Sequence, residues 1–245
     1  MPASSKATAR RPRVCIGSLF RDSDSRGELD RYIQQIEALD YPKDLLRIVC
    51  LEGDSIDSTR QKLQDWNPTF PKELLRLDVS SSADYRTITE QRLRNLSNCA
   101  NEVLDHFGDE DYLFWVTSDL TFPPDIINIL LSVDKQVVSC PVLIAGSNRF
   151  YDVWGFRQGQ QQVNRVGGVY GPGCFHWDFP WHPVVDIYRP FRVDTVGSIF
   201  LAKAEVVNSG ARFTAEEDIV GFCKEAGARG YEVWMTTKTR VYHSS

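Results

Sequence analysis

Acidic and hydroxyl side chains directly follow two of the apolar, β-rich runs in the sequence. Glu52 and Asp54 come after the run 47–51, and the triplet 117–119, Thr-Ser-Asp, follows another. A carboxylate placed like Asp54 can accept hydrogen bonds from a ribose or a base edge, and the triplet's Asp offers the hard oxygen ligand that Mg²⁺ or Mn²⁺ prefers. A metal ion there would neutralise charge on a leaving nucleoside diphosphate. The alternative interpretation is that these carboxylates only form turns and cap helices, and the pattern leaves both open.

The elements that must position these side chains are typical of a parallel sheet with crossover helices. Short apolar runs alternate with segments whose apolar residues recur at helical spacing, such as Leu29, Ile33, Ile36 and Leu39. We predict β-strands over residues 14–19, 47–51, 74–79, 112–116 and 136–142. Ligands of open α/β sheets bind outside the carboxyl ends of the strands, where the candidate residues fall. The fold prediction is a single α/β domain with a mostly parallel central sheet flanked by helices.

Periodicity separates the chain into regions. Residues 1–12 are basic and are predicted to form a disordered tail, and residues 13–245 are predicted to form the domain. Within it we expect a nucleotide-binding half over about 13–145 and an acceptor-binding half over about 146–245, where the acceptor is a second substrate. From residue 147 to residue 191 the periodicity fails, while Gly, Pro and aromatic residues crowd together. A loop this long and this aromatic is interpreted as a substrate-binding flap.

Composition excludes several classes of partner. The net charge of -5 and the pI near 5.4 give no reason to expect nucleic acid. No apolar run approaches the roughly 20 residues of a transmembrane segment. Six cysteines that never form a CxxC pair fit a reducing cytoplasm. No GxGxxG follows the first strand and no P-loop occurs, so a nucleotide must be held in another way. The oligomeric state stays open.

Further candidate residues lie after the predicted strands, on one helix and near the end of the chain. The candidate nucleotide contacts are Ser18, Phe20, Arg21, Glu52, Asp54, Arg92, Thr117 and Ser118. Glu217 and Asp218 open a predicted helix, where acidic residues favour the helix dipole, although a carboxylate beside a reacting hydroxyl can act as a general base. His243 ends a β run. We interpret it as a candidate metal ligand only if it lies together with Asp119.

Four long segments of the sequence carry patterns that occur in the same order in a known protein family. They are LDRYIQQIEALDYPKDLLRIVCLEGDSIDST, YLFWVTSDLTFPPDIINILLSVDKQVVSCPV, VDTVGSIFLAKAEVVNSGARF and EEDIVGFCKEAGARGYEVWMTTKTRVYH. Together they resemble the GT-A glycosyltransferases, especially the fungal mannan-polymerase mannosyltransferase family and its family-2 relatives. The resemblance runs from about residue 13 to residue 243 and is weakest across the aromatic loop.

The resemblance implies a GT-A, Rossmann-like fold and transfer of a sugar from a GDP- or UDP-sugar to a glycan or other hydroxyl acceptor. Mannose from GDP-mannose is the first candidate donor, and Mn²⁺ or Mg²⁺ is the implied cofactor. By similarity, Asp54 contacts the nucleotide, Asp119 and His243 bind the metal, and Glu217 with Asp218 occupy the catalytic or acceptor-binding position. The aromatic segment supplies the predicted acceptor contacts, which are Tyr151, Asp152, Trp154, Trp177 and Trp181.

One departure from the family pattern keeps two alternatives open. The family's D-x-D reads Thr117-Ser118-Asp119, so the first carboxylate is missing. A non-catalytic sugar-binding or scaffold subunit is therefore a second hypothesis. A sugar-phosphate nucleotidyltransferase is a third, for which LFRDSDSRG is a poor version of the expected Gly-rich, basic signature. The stereochemical outcome is also open: an inverting enzyme would use Asp218 as its base, and a retaining enzyme requires no protein base.

Overall fold

The structure is a computed structural model, and it describes residues 10–79, 89–147, 149–152, 155–157, 189–215 and 219–244. Strands and helices alternate through the first half: β1 (Val14–Phe20), α1 (Glu28–Glu37), β2 (Leu46–Glu52), α2 (Thr59–Asp65), β3 (Lys72–Arg76), α3 (Glu90–Asp105) and β4 (Tyr112–Val116). The second half contains β5 (Leu120–Thr121), α4 (Ile126–Leu131), β6 (Val137–Ser139), β7 (Val142–Ile144), β8 (Phe191–Val193), β9 (Ile199–Lys203), α5 (Ala204–Asn208), α6 (Ile219–Ala228), β10 (Val233–Met235) and β11 (Val241–His243).

Two sheets organise the described residues. The larger has the strand order β3-β2-β1-β4-β9-β6-β10-β8, and only β9 and β8 run against the other six strands. The smaller has the order β5-β11-β7. The prediction of a mostly parallel central sheet flanked by helices is confirmed. Because β2, β1 and β4 are parallel neighbours, their carboxyl ends meet at one edge of the sheet, which we call the carboxyl edge.

The core lies between the central strands and the helices that cover them. Strands β1, β2 and β4 are almost entirely buried, as expected for apolar strands covered on both faces. Gly17 lets α3 approach closely, because a β-carbon there would lie 3.1 Å from both Val103 on the helix and Trp115 on β4. The five described cysteines are all free and buried, where thiols act as small apolar groups.

Two predicted strands differ from the observed ones. The run 74–79 was expected to be one strand, but β3 ends at Arg76, since the backbone N–H of Val79 donates to the carboxylate of Asp54 (2.7 Å) instead of to a neighbouring strand. The run 136–142 divides into β6 and β7, which belong to different sheets. Pro141 lies between them and has no N–H for a ladder, so the chain changes sheets there.

The last two strands, β10 and β11, also belong to different sheets. Strand β10 pairs in parallel with β6 in the large sheet, whereas β11 pairs with β5 and β7 in the small one. The small sheet therefore brings the end of the described chain back to the carboxyl end of β4. Across the described ranges, no helix combines the length and apolar character that crossing a bilayer requires.

Candidate active site at the carboxyl edge

The loops after β1 and β2 are tied together by side chains that accept or donate across the gap. Asp22 accepts a hydrogen bond from the backbone N–H of Ile56 (2.8 Å) and donates its own N–H to the hydroxyl of Ser55 (3.0 Å). Asp57 accepts from the N–H of Ser25 (2.7 Å). These bonds make one rigid wall out of two loops that are far apart in sequence.

Asp54 holds the chain that leaves β3. It has a left-handed backbone conformation (φ 55°), which is uncommon outside glycine, and its carboxylate receives the N–H of Val79. Asn95 on α3 donates to the carbonyl of Val79 (3.2 Å). The predicted nucleotide contact Asp54 thus lies at the junction of β2, β3 and α3, with Arg92 in the first turn of that helix.

Ser18 and Phe20 lie inside the protein at the end of β1. The Ser18 hydroxyl donates to the carbonyl of Val116 (2.8 Å) and is hydrogen bonded to the hydroxyl of Tyr32. The ring of Phe20 meets that of Tyr32 edge to face, with centroids 5.0 Å apart. Both residues are buried, so they fix the wall of the site and expose no surface for a base to stack on.

Glu52, at the end of β2, is also buried. One carboxylate oxygen accepts the N–H of Ser55 (2.5 Å), which shapes the loop that follows. Among the described residues, the other oxygen has no hydrogen-bond partner, and the nearest cation is Arg76 at 3.8 Å. Arg21 lies beside this wall, 4.0 Å from the carboxylate of Asp22.

Asp119 and His243 meet at the carboxyl end of β4. Nε2 of His243 lies 3.0 Å from one carboxylate oxygen of Asp119, and the Thr117 hydroxyl donates to the other oxygen at 2.7 Å. The pairing of β11 with β5 causes this contact, because it places His243 opposite Leu120, next to Asp119 in sequence. About a third of the Asp119 side chain is exposed (33%), so a ligand can reach it.

The surroundings of Asp119 favour its charged form. Burial alone would raise the pKa of this carboxyl group, but the hydrogen bond and charge of His243 and the hydroxyl of Thr117 outweigh that effect, and the pKa lies below its ordinary value. Next to it, the buried Ser118 hydroxyl lies 3.3 Å from the hydroxyl of Ser23. The segment 117–119 is therefore tied to the loop after β1 on one side and to β11 on the other.

Tyr151 stacks on the imidazole of His243. The ring centroids are 3.6 Å apart and the planes differ by 10°. The backbone N–H of Tyr151 donates to the carbonyl of Val142 (2.7 Å), which places it beside β7. A residue predicted to contact the acceptor thus lies directly against a predicted metal ligand.

Asp152 is surrounded by donors from its own protein. It is buried, and its carboxylate accepts from the N–H of Gly155 (3.1 Å), the N–H of Ser198 (2.7 Å) and the hydroxyl of Ser198 (3.1 Å). A β-carbon at Gly197 would overlap this carboxylate. The carbonyl of Ser198 in turn accepts the N–H of Thr117 (3.1 Å). Asp152 therefore links the segment that carries Tyr151 to the segment 117–119, which follows β4 and contains Asp119.

Several predicted residues lie outside the described ranges, namely Trp154, Trp177, Trp181, Glu217 and Asp218. Ser198 and Arg31 are among the residues near the site that were not candidates. Ser198 joins Asp152 to Thr117, and Arg31 donates to Ser244 (2.9 Å), which donates to the carbonyl of Asp119 (2.9 Å). Both lie in segments that carry the family resemblance, but their contacts join residues that are far apart in sequence, so pattern alone did not select them.

The donor set at Asp119 fits a divalent cation that shares its coordination with substrate. One carboxylate and one imidazole supply two protein ligands, and no cluster of three or more His, Cys, Asp or Glu side chains forms within the described ranges. Mg²⁺ ordinarily keeps several waters and binds through one or two carboxylates plus substrate phosphates. Asp119 and His243 are adequate for such an ion, and Thr117 contributes a neutral hydroxyl instead of a second charge.

Comparison with known proteins gives fold relatives but no close sequence relative. No protein-family profile matches the chain, and no curated protein sequence does so. TarS from S. aureus matches with a TM-score of 0.61 and 10% identity, over 95% of this chain and 60% of the TarS 1-349 chain. The mannosyltransferase PcManGT from Pyrobaculum calidifontis, in complex with GDP-Man and Mn²⁺, matches with a TM-score of 0.60 and 15% identity, over 96% of this chain and 58% of that one.

This chain has the GT-A fold. TarS has also been crystallised with UDP and with UDP-GlcNAc, so proteins of this fold bind donors with either nucleotide. The chain spans about 60% of the length of these structures. At 10 to 15% identity the likeness establishes the GT-A architecture, and the more specific resemblance to the fungal mannan-polymerase family stays a prediction.

Proposed function

We propose that this GT-A protein is a metal-assisted glycosyltransferase that moves a hexose from a nucleotide-sugar to a hydroxyl group of a glycan or other acceptor. GDP-mannose is the first candidate donor. One observation carries the proposal: Asp119 and His243 meet, 3.0 Å apart and accessible, at the carboxyl edge of the sheet, where α/β proteins bind their ligands. The structural relatives crystallised with UDP, UDP-GlcNAc and GDP-Man support this class of donor.

The residues around this pair divide the work of binding. Asp54 and the locked loops after β1 and β2 form the nucleotide side, and Arg92 and Arg21 provide positive charge there. Tyr151, held against His243, faces the acceptor side. Because Asp152 and Ser198 connect these two sides through hydrogen bonds of 2.7 to 3.1 Å, they fix the distance between donor and acceptor groups. Such fixed positioning supplies a large part of the catalysis in a group transfer.

In the reaction, the acceptor oxygen forms a bond to the anomeric carbon while the bond from that carbon to the diphosphate oxygen breaks. Asp119 and His243 would hold a Mn²⁺ or Mg²⁺ ion, which supplies charge neutralisation to the departing diphosphate. If configuration is inverted, Asp218 receives the acceptor proton. If it is retained, no protein base is required, because the proton passes to an oxygen of the departing diphosphate. Analysis of the product's anomeric configuration by NMR decides which role Asp218 has.

The test is calorimetric titration of the purified protein with GDP-mannose, GDP, UDP-GlcNAc and UDP, each with and without Mn²⁺. We expect metal-dependent binding of one nucleotide family, lost in Asp119→Ala. Asp125→Ala is the matched control, since Asp125 is an exposed carboxylate shortly after β5 whose side chain makes no capping bond to α4. Failure of all four nucleotides to bind, with metal and without it, would contradict the proposal.

A non-catalytic sugar-binding subunit is the second candidate, and the substitution at Thr117 favours it. A single carboxylate and an imidazole bind a cation more weakly than the two carboxylates of a complete D-x-D would. The two candidates differ in turnover. A transferase releases nucleoside diphosphate from its donor over time, whereas a binding subunit binds the donor and leaves it intact.

A further inference from the structure

Arg31 lies on α1 beside the end of β11, and its guanidinium makes a single hydrogen bond to a described residue. Nη2 donates to the hydroxyl of Ser244 at 2.9 Å. Both the hydroxyl and the N–H of Ser244 donate to the backbone carbonyl of Asp119 (2.9 and 3.1 Å). One turn further along α1, Gln35 donates to the carbonyl of Leu120 (3.1 Å). Arg31 is thus fixed next to the segment that carries the candidate metal ligand.

The positive charge of Arg31 has no counter-ion in the described part of the chain. A guanidinium has five N–H donors, and four of these lack a protein acceptor there. Nε is buried without a hydrogen bond, while the side chain as a whole is only partly exposed. Arg26, in the preceding loop, differs, because Glu28 lies 2.8 Å from it. A partly buried cation with unused donors fits an anionic ligand better than it fits a purely structural role.

We propose that Arg31 binds a phosphate group of the substrate beside Asp119 and His243. Arginine suits this role because its planar, permanently charged guanidinium matches the oxygens of phosphate. The location next to the proposed donor site makes the nucleotide diphosphate the first source of that phosphate. The inference rests on the proposed function for the identity of the ligand, although anion binding by Arg31 can be measured by itself.

The first experiment uses inorganic pyrophosphate as the probe, titrated in the presence of EDTA so that the metal plays no part. We expect Arg31→Gln to bind pyrophosphate at least about 10-fold more weakly than the wild-type protein and Arg31→Lys to lose part of that affinity. Arg60→Gln is the control: Arg60 is exposed in the first turn of α2, so the variant removes the same charge elsewhere on the surface. Thermal unfolding of each variant verifies that the fold is intact. Equal affinity of wild type and Arg31→Gln overturns the proposal.

A second arm identifies the source of the phosphate. Saturating the protein with the nucleoside diphosphate that it binds should displace pyrophosphate if Arg31 serves the donor. Simultaneous binding of both would place the Arg31 phosphate on the acceptor and would overturn the donor assignment.

The two proposals can fail separately. Nucleotide binding that depends on Asp119 but not on Arg31 removes the role of Arg31 and leaves the transferase proposal standing. Pyrophosphate binding that depends on Arg31, in a protein that binds none of the four nucleotides, removes the transferase proposal and leaves the anion-binding role of Arg31 standing.

Discussion

The two ends of β4 each carry a carboxylate, and the protein treats them in opposite ways. Before the strand, Glu110 receives Nε of Arg47 at 2.5 Å, Nη2 of Arg47 at 3.2 Å and the N–H of Gly108 at 3.0 Å. After the strand, the partners of the Asp119 carboxylate on other described residues are a neutral hydroxyl and an imidazole, at 2.7 and 3.0 Å. The side chain of Glu110 is 9% exposed, whereas that of Asp119 is 33% exposed.

This difference is the one that we expect between a carboxylate that stabilises the fold and a carboxylate that binds a ligand. At the opposite edge, where β4 begins, the partners of Glu110 among the described residues are all permanent donors. Arg47 is held further by the carbonyl of His106 (2.7 Å) and the carboxylate of Glu73 (3.3 Å). At the carboxyl edge, an imidazole can exchange its proton for a metal ion, so the partners of Asp119 can rearrange around a ligand. Fixed donors stabilise the fold, and exchangeable ones leave Asp119 capable of chemistry.

The largest expected effect is the loss of turnover in Asp119→Asn. The amide keeps the size of the side chain but removes the charge that a cation needs, so we expect the rate of nucleoside diphosphate release from the donor to fall by about 1,000-fold. Stability should change by less than about 1 kcal/mol, since the group is partly exposed and its partners are few. A coupled assay for nucleoside diphosphate and a urea unfolding curve measure the two effects. A large loss of stability with unchanged turnover would mean that Asp119 stabilises the fold and does not take part in the reaction.

Glu110→Gln should show the opposite pattern. Removing one partner of a largely buried ion pair leaves Arg47 without its main counter-charge, and we expect a loss of about 3 kcal/mol in the free energy of unfolding at pH 7. Donor affinity should not change, because Glu110 is at the other edge of the sheet. Urea unfolding of variant and wild type, followed by tryptophan fluorescence, gives the difference.

The same pair predicts a pH dependence. Burial raises the pKa of the Glu110 carboxyl, but the hydrogen bond and charge of Arg47 lower it more, so the folded-state pKa lies below the ordinary value. A depressed folded pKa contributes stability that is present above the unfolded value and is lost as the pH falls through the folded value. The gap between wild type and Glu110→Gln should therefore close below about pH 4. A gap that stays constant down to pH 3 would show that the charge of Glu110 is not its cause.

Sequence pattern predicted the parts of this molecule in which neighbouring residues decide the structure. The apolar runs predicted the strands of the sheet, and the carboxylates that follow two of those runs predicted Asp54 and Asp119 as candidates. Both predictions depend only on the local alternation of residue types. Pairing across the chain was not predictable in this way. The partners of β10 and β11 depend on which strand edges remain free in the folded sheet. Pro141 predicts that the strand is interrupted, but it does not predict that the two parts belong to different sheets. Ser198 was missed because its role exists only through contacts to residues 46 and 81 positions away.

Asp152→Asn tests which of the two classes a third carboxylate belongs to. Its oxygens are occupied by Gly155 and Ser198, so we expect it to resemble Glu110, with a loss of about 2 kcal/mol, or roughly 4 to 8 °C in Tm, and no change in donor affinity. Ser198→Ala, which removes only the hydroxyl, should lose about half as much. Differential scanning calorimetry compares the variants. If Asp152→Asn keeps its Tm and loses only acceptor-dependent turnover, Asp152 contacts the acceptor as predicted from sequence.

The smallest expected effect is a gain, produced by Thr117→Asp. This variant restores the first carboxylate of a D-x-D beside Asp119 and replaces a hydrogen bond of 2.7 Å by a like-charge contact. Without metal the variant should be less stable than wild type by about 1 kcal/mol, because two carboxylates at this distance repel. With Mn²⁺ the second charge adds a ligand, and we expect the metal to bind about 10-fold more tightly. Thr117→Asn has the same shape without the charge and should show neither change. Mn²⁺ titration by electron paramagnetic resonance measures the affinity. An unchanged affinity in Thr117→Asp would mean that the cation does not bind at Asp119. His243 would then be a hydrogen-bond partner of that carboxylate and not a metal ligand.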